Sequence, residues 1–510
     1  DTNAYTGTFA AGTDYNATDG TDAVGAGTNN KTEQVFSFVN ETADDFHLVL
    51  ADSGARDSGT DLSGDADISF SNDIDGDTHS GTWDIGADEG VDKICRSVAP
   101  LATAALDDHN SHTDTITISD GTAAFSAAIA ANVGVGDVVL YDSDLDDDLD
   151  LNDSIAFIDS RTDSTHYALK TETGEALPDL AANDTWAIYR AYTSLANAES
   201  GTQNTSIPIS FTGGNRDLVA NNEQWNIACY ANGAIADTSA VIIDDWTTDA
   251  RKYIKIYTPA SLSEVGTTQR SKGVWDNGKY KIEVSTSGIE IYEDYVRVEG
   301  LQLKAARSSG TGYNFYVGNI NQLSDIRISH NIIAGDMSGI AIGYGVLVDD
   351  DNAVVKFWNN IIYGFVNTGQ TALAGFISID SDLYLYNNTI CGCYIGFQMS
   401  NSAATLKNNI AYNNLTDYAL VANVSHSNNL SKDDTSPDAA LRNQTVSFLD
   451  EANNNFHLTV DDIAAKDQAE SLASDSYIAF SLDIEGHVRP FGTEWDIGAD
   501  EYVAWYPDRL

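Results

Sequence analysis

The densest run of metal-ligating side chains is Asp142, Asp144, Asp146, Asp147, Asp148, Asp150 and Asp153. Carboxylates that alternate along one loop can converge on a hard cation, and calcium takes about six to eight oxygen ligands. Asp142, Asp144, Asp146, Asp148, Asp150 and Asp153 are therefore the expected calcium ligands, with a solvated acidic loop as the plain alternative. The loop lacks the glycine on which an EF-hand turns. Asp73, Asp75 and Asp77 form a second alternating run, but the matching positions late in the chain are Asp483, Glu485 and His487, which weakens a shared metal role.

A second chemistry needs paired carboxylates or a carboxylate with a base, as in glycan cleavage. Asp349, Asp350 and Asp351 lie near Asp380 and Asp382, with Arg327, His330 and Lys356 as nearby bases. No Gly-His-Gly or Arg-x-Lys signature accompanies them, and no Walker loop, dinucleotide glycine motif, HExxH or nucleophile elbow is present. No catalytic residue is assigned. Sequons are frequent, and Asn16, Asn204, Asn387, Asn414 and Asn443 are the candidate glycosylation sites.

The elements that would position these groups repeat. Asn331, Asn360, Asn388, Asn409 and Asn429 each end a short alternating segment, as in Ile326-Arg327-Ile328-Ser329-His330-Asn331. Val296-Arg297-Val298-Glu299-Gly300 fits one step earlier, with Gly300 in the Asn place. Asn and Gly tolerate the left-handed backbone of a sharp corner. An interval of about 20–30 residues is one solenoid coil per repeat. Stacked asparagines then form an amide ladder, and no sustained helical periodicity competes between residues 280 and 440. Between residues 91 and 195, five alternating segments from Thr115 to Tyr189 read as a small antiparallel barrel or sandwich, a cap or linker before the solenoid.

Trp83-Asp84-Ile85-Gly86-Ala87-Asp88-Glu89 recurs as Trp495-Asp496-Ile497-Gly498-Ala499-Asp500-Glu501. Phe46-His47-Leu48 recurs as Phe456-His457-Leu458, and Asp73-Ile74-Asp75-Gly76 as Asp483-Ile484-Glu485-Gly486. This block resembles the C-terminal closing segment of secreted bacterial right-handed parallel β-helix proteins. The resemblance implies an all-β, right-handed parallel β-helix. The expected division is residues 1–90 as an extra closing copy, 91–195 as the small antiparallel domain, 196–445 as the solenoid and 446–510 as the closing segment. A closing copy at the front reads as the end of a preceding unit or a docking part, and a start at Asp1 without Met as a processed product or fragment.

Composition bounds the partners. Across 510 residues, 77 acidic and 26 basic side chains leave a net charge of -51. Nucleic acid and anionic membranes are repelled, no run of Lys and Arg offsets this, and anionic polysaccharides would need bridging cations. No stretch approaches the ~18 apolar residues of a membrane-spanning helix. Four cysteines make no disulfide framework. Cys391 and Cys393 are expected on one strand face as buried thiols, and Cys95 and Cys229 as a pair only in an oxidising compartment. The combined expectation is an extracellular or cell-surface structural or adhesive protein that self-associates head to tail. The rivals are a polysaccharide lyase or glycoside hydrolase of tailspike type, and a glycan-binding module using Trp358, Tyr384 and Tyr386.

Overall fold

The computed structural model describes residues 13–504, apart from 22–26, 42–44, 49–51, 67, 75–82, 109–113, 145, 176, 321–323, 339–341, 351–352, 368, 370–372, 401 and 421–423. Asp75, Asp77 and Asp351 therefore lie outside the described residues.

The alternating segments stack as parallel strands. One complete coil runs from Ser324–Ser329 through Ile332–Met337 and Ile342–Asp349 to the next coil at Ala353–Trp358. Repetition of this path builds three parallel sheets, of nine, seven and seven strands among the described residues. The fold is a parallel β-helix. Inward residues such as Ile328, Phe357, Leu385 and Leu406 stack in register and are fully buried. Each removes apolar surface worth about 1.5–3 kcal/mol from water.

The amide ladder is present. The Nδ2 groups of Asn331, Asn360, Asn388 and Asn409 each donate to Oδ1 of the next asparagine, at 3.0, 3.2, 3.1 and 2.8 Å. Its far end is Asn429, whose N–H and Nδ2 both donate to Asp438. The left-handed corner sits one residue earlier than expected. His330, Asn359, Asn387, Asn408 and Asn428 have positive φ, as does Gly300. Leu301, not Gly300, thus occupies the first ladder position, and its N–H donates to Asn331. In each Asn-Asn pair the first residue turns the chain and the second fills the corner.

The small antiparallel domain exists but is placed differently. Among the described residues its eight strands run from Asp107–Asp108 to Trp186–Tyr189, in one antiparallel sheet. Asp92–Val98, expected to belong to it, pairs in parallel with Glu223–Cys229 and opens the nine-stranded sheet. The solenoid therefore begins at residue 92, and the small domain is inserted within its first coil. The pairing was hidden because the partner strands are separated by the whole insertion. The helix Leu195–Ser200, capped by Ser194 and by left-handed Gly201, buries Leu195 and Ala198 in the solenoid core. Arg190 and Asp137, both fully buried and 2.6 Å apart, tie the insertion down.

All four cysteines are free and buried. Gly392 turns with positive φ between Cys391 and Cys393, so the two do not share a face. Cys393 enters the solenoid interior, whereas Cys391 faces the closing segment.

Residues 446–504 lie along the flank of the solenoid. Asn359, Asn387 and Asn408 donate their amides to Leu482, Asp496 and Glu470 carbonyls of this segment. Ile484 and Ile497 are fully buried with Ile361, Ile410 and Leu430 of the coils.

Candidate functional site

The outer face of the nine-stranded sheet carries an ordered set of charged and aromatic side chains. Because strands pair in exact register, one outward position of each coil falls in a single column: Asn226, Lys255, Arg297, Arg327, Lys356, Tyr384. Four successive cations are stacked, about 4.8 Å apart per strand. Tyr253 and Asp325 flank this column on one side; Tyr257, Glu299, Ser329 and Trp358 flank it on the other. The groove along it is lined by Tyr253, Lys255, Arg297, Glu299, Arg327 and Trp358, and continues past Lys93 and Asp159.

The cations outnumber the carboxylates between them. Glu299 lies 3.2 Å from Lys255 and bonds Arg270. Burial pushes its carboxyl up, yet those two cations hold it well below its usual range. Asp325 is half-buried, and although desolvation pushes its carboxyl up, Arg327 and Lys356 hold it low. Arg297 lies 3.3 Å over the Tyr253 ring, and no carboxylate bonds it among the described contacts. Burial makes its charge costly and pulls its pKa down, although it remains a cation. A glycosidase needs one protonated carboxylic acid, and both carboxylates in this column are held ionised.

The far end of the column is closed. Tyr384 stacks on Tyr477 of the closing segment at 4.2 Å, and Trp358 meets Phe480 at 6.4 Å. Tyr386, expected as a glycan platform, is fully buried. Of the three expected aromatics only Trp358 lines the groove. Asp349 and Asp380 lie at strand ends, and Asp350 accepts the N–H of Ile320.

The acidic loop joins Val138–Tyr141 to Ser154–Arg161. It brings Asp142, Asp144 and Asp153 together, and Asp148, Asp150 and Asp153, with one oxygen of each inside 4.8 Å of the others. Asp146 joins neither group and instead accepts the N–H of Asp148. Asp147 has φ of 67° and supplies the left-handed turn for which glycine was missing. Mutual repulsion contributes to raising Asp144 after desolvation, and leads at Asp148. Oxygen-only ligands at this closeness fit a hard cation such as calcium.

Inside the closing segment a cluster joins Asp483, Glu485 and His487 of the alternating run to His457 and Asp500, which the repeat alone gave no chemical role. His457 is 3.3 Å from Glu485 and 3.9 Å from Asp500, while His487 bonds Asp483. Asp483 also receives the N–H groups of Glu485 and Glu501. These groups hold the segment's turns; the repeated acidic pattern was the available signal.

Two glycosylation expectations are corrected. Asn204 is fully buried with Nδ2 donating to Ala102 and Arg190 carbonyls. Asn387 is equally buried and spends Nδ2 on Asp496 and Gly498. Neither nitrogen is open to a sugar. Asn16 and Asn414 are half-buried and hydrogen-bonded, and Asn443 is exposed.

No protein-family model matches the chain, and curated proteins give no match. Among solved structures, the tailspike protein gp49 from Pseudomonas phage LKA1 is similar over 68% of this chain and 59% of its own, at 11% identity and a TM-score of 0.18. The chain thus spans less than two thirds of that tailspike, and so loose a likeness carries no argument about function.

Proposed function

We propose that the protein is an extracellular adhesive β-helix that holds an anionic polysaccharide, without cleaving it, along the cationic column of its nine-stranded sheet. The observation that carries this reading is the stack Lys255, Arg297, Arg327, Lys356 on an otherwise acid-coated chain. Four stacked strands span about 14 Å, which matches an extended polymer carrying several charges. Tyr253 and Trp358 add faces against which sugar rings pack. In this reading the coils' own cations do the work that bridging cations would otherwise do for such a polymer.

The test is titration calorimetry with polygalacturonate, a sulfated glycan and neutral dextran. The anionic chains should bind and dextran should not. The double substitution Arg297→Ala, Arg327→Ala should weaken binding at least tenfold with little change in melting temperature. Equal binding of dextran, or no binding of either polyanion, would sink the reading. Unsaturated or reducing-end products would refute the non-catalytic part.

A further inference from the structure

The two closing copies share one internal frame. Leu48 donates its N–H to Asp88 as Leu458 does to Asp500. Asp57 donates to Asp84 as Asp467 does to Asp496, and Glu89 to Asp73 as Glu501 does to Asp483. Phe38 and Phe46 meet edge-on at 5.5 Å, and so do Phe448 and Phe456.

Their outer faces differ completely. Phe456, Ile478 and Ile484 are 3%, 5% and 0% exposed, whereas Phe46, Ile68 and Ile74 are 54%, 72% and 72% exposed. A Cβ on Gly498 would lie 2.6 Å from Ile410 of the flank; one on Gly86 would meet nothing within 4 Å. In the later copy, flank residues Tyr363 and Tyr412 pack on Phe456 and Phe448 at 5.8 and 5.4 Å. In the front copy the same place is an open apolar groove of about 460 Å³, lined by Phe36, Phe38, Phe46, Ile74 and Ile85. The front copy is also held to its own chain, through Arg56 to Asp92 and, at the rim of the groove, Asp88 to Arg251.

We infer that the front copy is a docking surface for the flank of a second parallel β-helix, one whose coils present tyrosine and β-branched side chains outward beside paired-Asn corners. The molecule itself contains the worked example: the same frame, seated on that kind of flank through those positions. Asp65 stands at the position of Asp475, which bonds Lys407 of the flank at 2.8 Å, so the partner should carry a lysine there. The chain's own flank is covered by residues 446–504, so the occupant is another solenoid.

Two experiments decide. In a chimera, residues 36–90 replace residues 446–502 of the full chain. Hydrogen exchange at Thr389–Cys391 and Ile410–Tyr412 should stay within about threefold of the parent. A rise of a hundredfold while inner coils stay protected would show that the front copy does not fit a flank. In the second, wild-type chain is mixed with a Phe456→Asp, Ile484→Asp chain whose flank is shown by exchange to be open. A 1:1 complex by light scattering is expected, and it should vanish when the wild-type partner carries Phe46→Asp, Ile74→Asp. No complex with an open flank overturns the inference. Wild-type dimers that Phe46→Asp abolishes would also overturn it, in favour of front copies pairing with each other.

Discussion

At the scale of single residues, the paired asparagines separate two jobs that the sequence shows as one. Asn388 is fully buried, donates to Asn409 and Phe357, and accepts from Asn360. Truncating it strands both Asn360 donors and takes a donor from the Phe357 and Asn409 oxygens in a dry corner, and each unsatisfied buried group costs about 1–3 kcal/mol. Asn388→Ala should therefore lower unfolding stability by about 3 kcal/mol in a denaturant titration, while exposed Ser474→Ala should change it by less than about 0.5 kcal/mol. The ladder was legible because its residue type repeats. The left-handed neighbour was not, since Asn, Gly and His can all take that place.

At the scale of elements, the coils and the small domain were readable from alternation and corner residues. The insertion point was not, because Asp92–Val98 and Glu223–Cys229 belong to one sheet but to distant sequence. The cationic column was equally hidden. No two of its residues are neighbours in the chain, and it emerges only when Ile254-Lys255-Ile256, Val296-Arg297-Val298, Ile326-Arg327-Ile328 and Val355-Lys356-Phe357 are superposed. The loop between residues 142 and 153 makes a prediction of its own. Calcium should raise the melting temperature, chelation should reverse the gain, and Asp144→Asn with Asp153→Asn should abolish the response in scanning calorimetry. Indifference to calcium would mean the loop is only a solvated turn.

For the whole molecule, burial sets the pH response. Desolvation raises Asp84, Asp92, Asp496, Glu199, Glu223 and Glu293 to about 7. Their folded pKa values exceed the unfolded ones, so the folded chain binds more protons between about pH 4 and 7. Stability from these groups is complete at the acid side of that window and is lost as pH rises through 7. Burial lowers His330 to about 4, which works in the opposite direction below pH 6.5. Six carboxyls against one imidazole should give a higher melting temperature at pH 5 than at pH 8, and the net charge of -51 adds to the same trend. A maximum at pH 8 would contradict it.

The ladder's end bears on how such a molecule changes over generations. Asp438 accepts the two donors that another asparagine would have accepted, so one carboxylate stands in for a missing coil. Nothing in the stack counts its own members, because every rung sees only the rung on either side. Duplicating a coil upstream of Asp438 would lengthen the rod and leave the stop intact. Length is therefore a heritable quantity that can drift in whole coils while the two ends keep their chemistry.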